Sequence, residues 1–139
     1  MLGLMRAHDT AAWGDSDWTR DDLAEHWDGV DLENDAWVVE TDGRLAGYVD
    51  FEVRGSGRLI ADGYVDPASR GIGVGTALVD TVETRAGREL ERTTGRSFLQ
   101  YVALRAEEGV SGFFGRRGYE EARHTWRMTV DLDELPAVD

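Results

Sequence analysis

Between residues 65 and 83 the chain reads VDPASRGIGVGTALVDTVE: a β-like run stops at Pro67, glycines follow at 71, 73 and 75, and a segment of helical periodicity begins at once. A helix start carries about four unpaired N–H groups and a partial positive charge of roughly one half, so it attracts an anion. Glycines let that anion come close, because no Cβ shields the backbone N–H groups, and Arg70 adds a permanent cation. The same glycines also suit a tight turn that merely lets the helix pack close to the strand. Both readings are open at this level.

Spacing narrows the ligand. A dinucleotide fingerprint G-x-G-x-x-G beginning at Gly71 needs glycine at 76, where Thr76 stands. A nucleoside triphosphate loop needs a lysine, and the chain has none. What remains is a strand, Pro67, Arg70-Gly71-Ile72-Gly73-Val74-Gly75, and a helix whose apolar stripe is predicted as Val74, Ala77, Leu78, Val82 and Ala86.

Around this segment the hydrophobic period changes twice. The first 35 residues read as short helices: Thr19 and Asp22 form an N-cap pair, and Leu23, Trp27 and Val30 recur at helical spacing. Trp13, Trp18 and Trp27 are read as core-covering groups. From Ala36 the period is two, so AWVVE, the turn TDGR and LAGYVDFEVR predict a β-hairpin, and a second turn, GSGR, leads to a third strand, LIADGYV. Within residues 45–53, Leu45, Gly47, Val49, Phe51 and Val53 fall on one face, expected to be core, and Tyr48, Asp50 and Glu52 on the other, expected to be polar. Further on, FLQYVAL predicts a strand, EEGVSGFFGRRGY a short helix closed by Gly118, and TWRMTVDL a last strand through Trp126, Met128, Val130 and Leu132. The expectation is an α/β (α+β) fold with a mixed, mainly antiparallel sheet flanked by helices. With no repeat, no low-complexity linker and only two prolines, residues 1–139 are read as one domain, 1–35 helical and 36–132 the sheet and binding core.

Composition removes function classes. The 28 acidic residues against 15 basic ones, all arginine, give a formal charge of −13. Such a field opposes nucleic acid backbones, so nucleic acid is not expected as a partner, whereas a cationic substrate is favoured. The lack of lysine and scarcity of isoleucine and asparagine fit either a GC-rich genome or a salt-adapted surface. Cysteine is absent, which excludes disulfides and thiolate chemistry, and His8, His26 and His124 show no metal-ligand spacing and are read as structural or exposed. No apolar run approaches the roughly 18 residues that span a bilayer, so no membrane partner and a cytoplasmic location are expected.

The segment from Val65 to Glu83 resembles the acyl-CoA-binding segment of the GCN5-related N-acetyltransferases (GNAT), whose signature of Arg or Gln, two residues, Gly, one residue, then Gly or Ala is matched by Arg70, Gly73 and Gly75. The order of elements across residues 36–132 is similar throughout. WTRDDLAEHWDGVDLENDAWVVETDGRLAGYV particularly resembles one half of tandem two-domain members from actinobacteria. The resemblance implies acetyl-CoA as cosubstrate, without a metal, and direct transfer to a primary amine of a small molecule or peptide. It implies that the backbone of Arg70, Gly71, Ile72, Gly73, Val74, Gly75 and Thr76 holds the pyrophosphate, and that Gly63 to Val65 pair with the pantetheine arm.

Direct transfer needs a base for the amine, donors that polarise the thioester oxygen and an acid for the departing thiolate. Asp62 is the first candidate base and Glu52 the second; either also reads as a solvated strand carboxylate. Backbone N–H groups at the end of the third strand are the expected oxyanion donors. The family often has an acid tyrosine where this chain has Phe114, so Tyr64 or Tyr119 is the candidate acid, and Glu107 stands where many members have asparagine. Arg116 and Arg117 either meet the outer phosphate of the coenzyme or favour the C-terminal end of their helix. Members usually begin with a strand where this chain opens on a helical-looking segment; the sheet edge so exposed favours pairing with another chain or covering by the N-terminal helices, and a homodimer is expected. The alternative function is a degenerate acyl-CoA-binding or partner domain without turnover.

Overall fold

The computed structural model describes residues 1–55, 57–103, 107, 109–126, 128 and 130. Its elements are α1 (Leu2–Trp13), α2 (Arg20–Asp28), β1 (Ala36–Thr41), β2 (Arg44–Arg54), β3 (Arg58–Val65), α3 (Val74–Leu90), β4 (Phe98–Tyr101) and α4 (Val110–Arg116). Local signals fix several boundaries. At the start of α2 the Asp22 N–H donates to Thr19 Oγ1 at 3.2 Å, and the Thr19 N–H donates back to Asp22 Oδ2 at 2.7 Å, a reciprocal cap. Between β1 and β2, Asp42 (φ 51°) and Gly43 (φ 71°) both take positive φ, as a two-residue turn needs to follow the strand twist. Gly118 (φ 87°) closes α4, its N–H donating to the Gly115 carbonyl while the Tyr119 N–H reaches that of Phe114, both at 3.1 Å.

The strands lie in the order β1-β2-β3-β4, antiparallel except for the parallel pair β3/β4. That pair runs only from Arg58↔Phe98 to Ala61↔Tyr101. Among the described residues, Asp62–Val65 therefore pair with β2 alone, and the sheet splays there.

Helix α3 covers one face. Val74, Leu78, Val82 and Ala86 pack on Ala46, Val49, Phe51, Leu59 and Ala61. A Cβ at Gly47 would stand 2.6 Å from Val74 Cγ1, so glycine there sets the closest approach of helix to sheet. Val79 is buried and Ala77 exposed, a correction to the predicted stripe, because the helix is rotated slightly toward Val79. A bulge also changes the parity of β2: Val39 pairs with Gly47 but Glu40 with Leu45, leaving Ala46 over. Ala46 turns to the α3 side, and Leu45 to the opposite one, contrary to simple alternation.

That opposite face is covered by α1 and α2, whose Leu4, Met5 and Leu23 pack with Tyr48 and Tyr64. Tyr48 and Asp50 are only 2% and 3% exposed, so the polar face of β2 is an interior. Trp18 and Trp27 pack against this cluster as expected, while Trp13 is half exposed. Two expectations for the later chain need correction. Val102 and Ala103 fall outside β4, and Leu104 lies outside the described residues. Thr125, Trp126, Met128 and Val130 form no strand, and Trp126 and Met128 are largely exposed; alternation alone does not make a strand without a paired edge. Leu132 lies outside the described residues.

Candidate active site

After β3, Asp66 Oδ1 accepts the Ala68 N–H at 2.8 Å and holds a single 3₁₀ turn at Pro67–Ser69. The chain then passes through Gly71 (φ 76°) to Gly73 (φ 95°), the N-cap of α3, which offers no side-chain cap. A Cβ at either glycine would meet nothing within 4 Å. These two glycines thus serve the left-handed backbone and an open approach to the helix start, whereas close helix–sheet packing depends on Gly47. A Cβ at Gly75 would make an ordinary 3.9 Å contact with Val65.

On the other side of the splayed end of β3 lies a cavity of about 640 Å³, between the sheet and α1/α2. Asp50 and Asp62, a cross-strand pair, line it together with Tyr64, whose own cross-strand partner Tyr48 lies in the packed cluster beside it. In each strand the tyrosine hydroxyl donates to the carboxylate two residues away on the same face: Tyr48 to Asp50 Oδ2 at 2.7 Å and Tyr64 to Asp62 Oδ2 at 3.2 Å. His26 Nε2 lies 2.6 Å from the same Asp50 oxygen, and Trp27 Nε1 donates to the Tyr48 hydroxyl at 2.9 Å.

Burial, followed by the charge of Asp50, raises the pKa of Asp62 above the ordinary carboxylate value of 3.8. The hydrogen bond to Asp50 raises that of His26 above 6.5, against the opposing effect of burial. Burial, then the Asp62 charge, raises that of Tyr64, so its hydroxyl keeps its proton at neutral pH. The site pairs a carboxylate with increased proton affinity with a protonated phenol 3.2 Å away. Such a pair suits removal of one proton and delivery of another.

Asp62, Tyr64 and Glu52 all line the cavity. Glu52 stands toward its rim, bound to Arg54 at 2.7 Å. Tyr119 does not reach the cavity, because its hydroxyl donates to Glu83 on α3 at 3.1 Å. Phe114 packs among Tyr101, Phe113 and Tyr119, with ring centroids 4.8 to 5.2 Å apart. Arg117 is held by Glu83 and Asp80 on α3 and by the ring of Phe113, which favours its structural reading. Arg70 pairs with Glu107 at 2.9 Å, and His8 Nε2 lies 3.5 Å from the same carboxylate oxygen.

Two histidines read from sequence as structural or exposed belong to the cavity wall. His8 Nδ1 lies 3.3 Å from the Val65 carbonyl, at the end of β3 beyond its pairing with β4, and its ring meets Tyr64 edge-on at 5.2 Å. Their signal was present: His8 follows Leu4 by four residues and His26 follows Leu23 by three, so both lie on the buried stripes of their helices. Exposed His124 lies 3.4 Å from Glu121, three residues before it. Among the described residues no group of three metal-ligating side chains occurs, and no helix is long and apolar enough to cross a membrane.

A glycine-led helix start beside a mixed sheet that splays at its parallel pair defines a GNAT fold. The chain belongs to this family: residues 33–121 match the model described as an acetyltransferase (GNAT) domain. It is 35% identical over 104 residues to a mycothiol acetyltransferase of Actinosynnema mirum, covering 73% of this chain and 33% of that relative. The chain thus spans about a third of the relative's length. A GCN5-related N-acetyltransferase from Sphaerobacter thermophilus superposes with TM-score 0.78 at 28% identity, over 86% of this chain and 39% of that one. Aminoglycoside N-acetyltransferase AAC(6')-Iy, solved in complex with CoA, shares the fold at TM-score 0.56 and 18% identity, over 81% of this chain and 87% of its own.

Proposed function

We propose that the chain transfers an acetyl group from acetyl-CoA to a primary amine in a ternary complex, with Asp62 as base and Tyr64 as acid. One observation carries this reading: the splayed end of β3 has the open start of α3 on one side and the Asp62/Tyr64 cavity on the other. The backbone from Arg70 to Thr76 holds the pyrophosphate, and Gly63 to Val65 align the pantetheine arm. Asp62 takes a proton from the incoming ammonium; the amine nitrogen bonds to the acetyl carbon as the C–S bond breaks. Tyr64 delivers its proton to the departing sulfur and regains one from the new amide nitrogen. Glu52 and the other cavity carboxylates, within a chain of charge −13, favour a cationic acceptor, a small amine or a peptide amine.

Calorimetric titration of acetyl-CoA tests the first half of the reading. Micromolar binding is expected in the wild type and its loss in a folded Gly73→Asp, Gly75→Asp variant. Gly75→Asp alone is the cleaner change, because Gly73 has positive φ and Gly75 lies within the helix. An amine panel with Asp62→Ala as control tests the second half, and no binding by the wild type would overturn both.

A second reading, a domain that binds acyl-CoA without turnover, is favoured by Phe114 at the place of the family's acid tyrosine. Tight binding with no turnover across the panel would select it. We also propose that the outer edge of β1, where Val38 is 54% exposed, pairs with a second copy of the chain. Light scattering at micromolar concentration should then give twice the chain mass.

A further inference from the structure

Asp50 is not among the residues that direct transfer calls for, and the sequence reads His26 as structural or exposed; the fold nevertheless brings both to the candidate base. We propose that Asp50 and His26 are positioning residues for Asp62, setting through their charges the pH at which its carboxyl gives up a proton. This rests on the reading of Asp62 as base, but concerns a property measurable without turnover.

Asp50 and Asp62 are directly paired across antiparallel β2 and β3, and like charges so placed repel. In such a pair the carboxylate bonded by more donors is the better held, and the other yields. Asp50 is the held member: both the Tyr48 hydroxyl and His26 Nε2 meet its Oδ2, at 2.7 and 2.6 Å. Trp27 fixes the tyrosine in turn. Asp62 is the member that yields, with a single bond among the described residues, from Tyr64 at 3.2 Å.

Every element around Asp62 presents a charged or titratable group. Asp50 and Tyr48 face it from β2, with Glu52 farther along; Tyr64 comes from β3, Asp9 and His8 from α1, His26 and Glu25 from α2, and Glu107 from beyond β4. Asp50 and Asp9 oppose its ionisation, while protonated His26 and the Tyr64 hydroxyl favour it; burial outweighs each of these separately. While His26 is an imidazolium, it offsets the Asp50 charge. Once His26 loses its proton, only the Tyr64 hydroxyl, among these groups, still favours the Asp62 anion against Asp50, and Asp62 holds its own proton more strongly. The base therefore strengthens as the pH rises toward the range in which an amine acceptor loses its own charge.

The test is a carbon-13 titration of the Asp62 carboxyl by NMR in the whole chain, without substrates, for wild type, His26→Gln and His26→Gln/Asp50→Asn. His26→Gln should raise the Asp62 midpoint by about one pH unit, and adding Asp50→Asn should return it to the wild-type value or below. His26→Lys restores a cation and should keep the midpoint near wild type even if the double variant does not fold. Coincident midpoints in wild type and His26→Gln, or no rescue by His26→Lys, overturn the proposal and leave burial as the sole cause. Midpoints that move as expected while the pH profile of kcat/KM ignores them would leave the pair standing and remove Asp62 as the base.

Discussion

The two faces of the sheet solve opposite problems. Under α3 the contacts are aliphatic and dry, with Phe51, Leu59, Val49 and Val82 at 2% exposure or less and charge only at the margin. There Arg85, bound to Asp35 at 2.6 Å, lies over the Phe51 ring at 4.9 Å. Under α1 and α2 the same strands pack two tyrosines against Leu4, Met5 and Leu23 and turn carboxylates toward a cavity. One face supplies cohesion alone; the other adds to its packed cluster groups that interact unfavourably unless their protonation states adjust. The aliphatic core and the candidate site are thereby separated by the thickness of one sheet.

Substitutions can break that separation. The largest expected effect is on the cavity side: Asp62→Asn should lower kcat/KM by about 10² to 10⁴, the usual contribution of a positioned base. Its folding stability at neutral pH should rise, since a buried carboxylate with raised pKa is a cost once ionised. Thiol release and thermal unfolding of the same preparation read the two outcomes. On the dry face, Phe51→Ala should cost about 3–5 kcal/mol in urea unfolding while leaving turnover per folded molecule near wild type.

A smaller effect joins the two functions. Tyr48→Phe leaves Asp50 and the Trp27 N–H each without one partner, and should cost about 1–3 kcal/mol, measured by urea unfolding. The mildest is a pH slope. His26 has a raised pKa in the folded chain, so its stabilising contribution is complete below 6.5 and is lost as the pH rises through the raised value. Asp62, also raised, acts in the same direction from its own lower starting point. Urea midpoints should therefore fall between pH 6 and pH 8, with a flatter profile in His26→Gln; a wild-type midpoint that climbs over this range would remove the linkage.

What the sequence reveals follows the same division. The hairpin was legible because Asp42 and Gly43 specify their turn locally, and the start of α3 because Gly71, Gly73 and Pro67 punctuate it. The α3 face was legible through the period of Val74, Leu78, Val82 and Ala86, though not the slight rotation that exchanges Ala77 for Val79. The cavity face was harder. Alternation marks Tyr48, Asp50 and Glu52 as one polar set, but pattern alone does not tell water from a covering helix. That the set meets His26, 24 residues before Asp50, depends on how α2 docks. Asp62 and Tyr64 are legible as candidates because direct transfer asks for a base and an acid near the glycines, and both line the cavity; Asp50 carries no such local demand. Leu45 was misplaced because a single extra residue, Ala46, reverses parity without any sequence mark.

Gly47 has a further consequence for the geometry of the whole site. Because Val74 and Leu78 rest where its Cβ would be, that missing methyl acts as a gauge block between sheet and helix. It fixes how far the first turn of α3 stands from the plane of the strands, and hence the step from the glycine loop to the cavity behind β3. A methyl there would lift the helix start like a shim under one end of a beam, altering the reach demanded of any molecule that must span from loop to cavity.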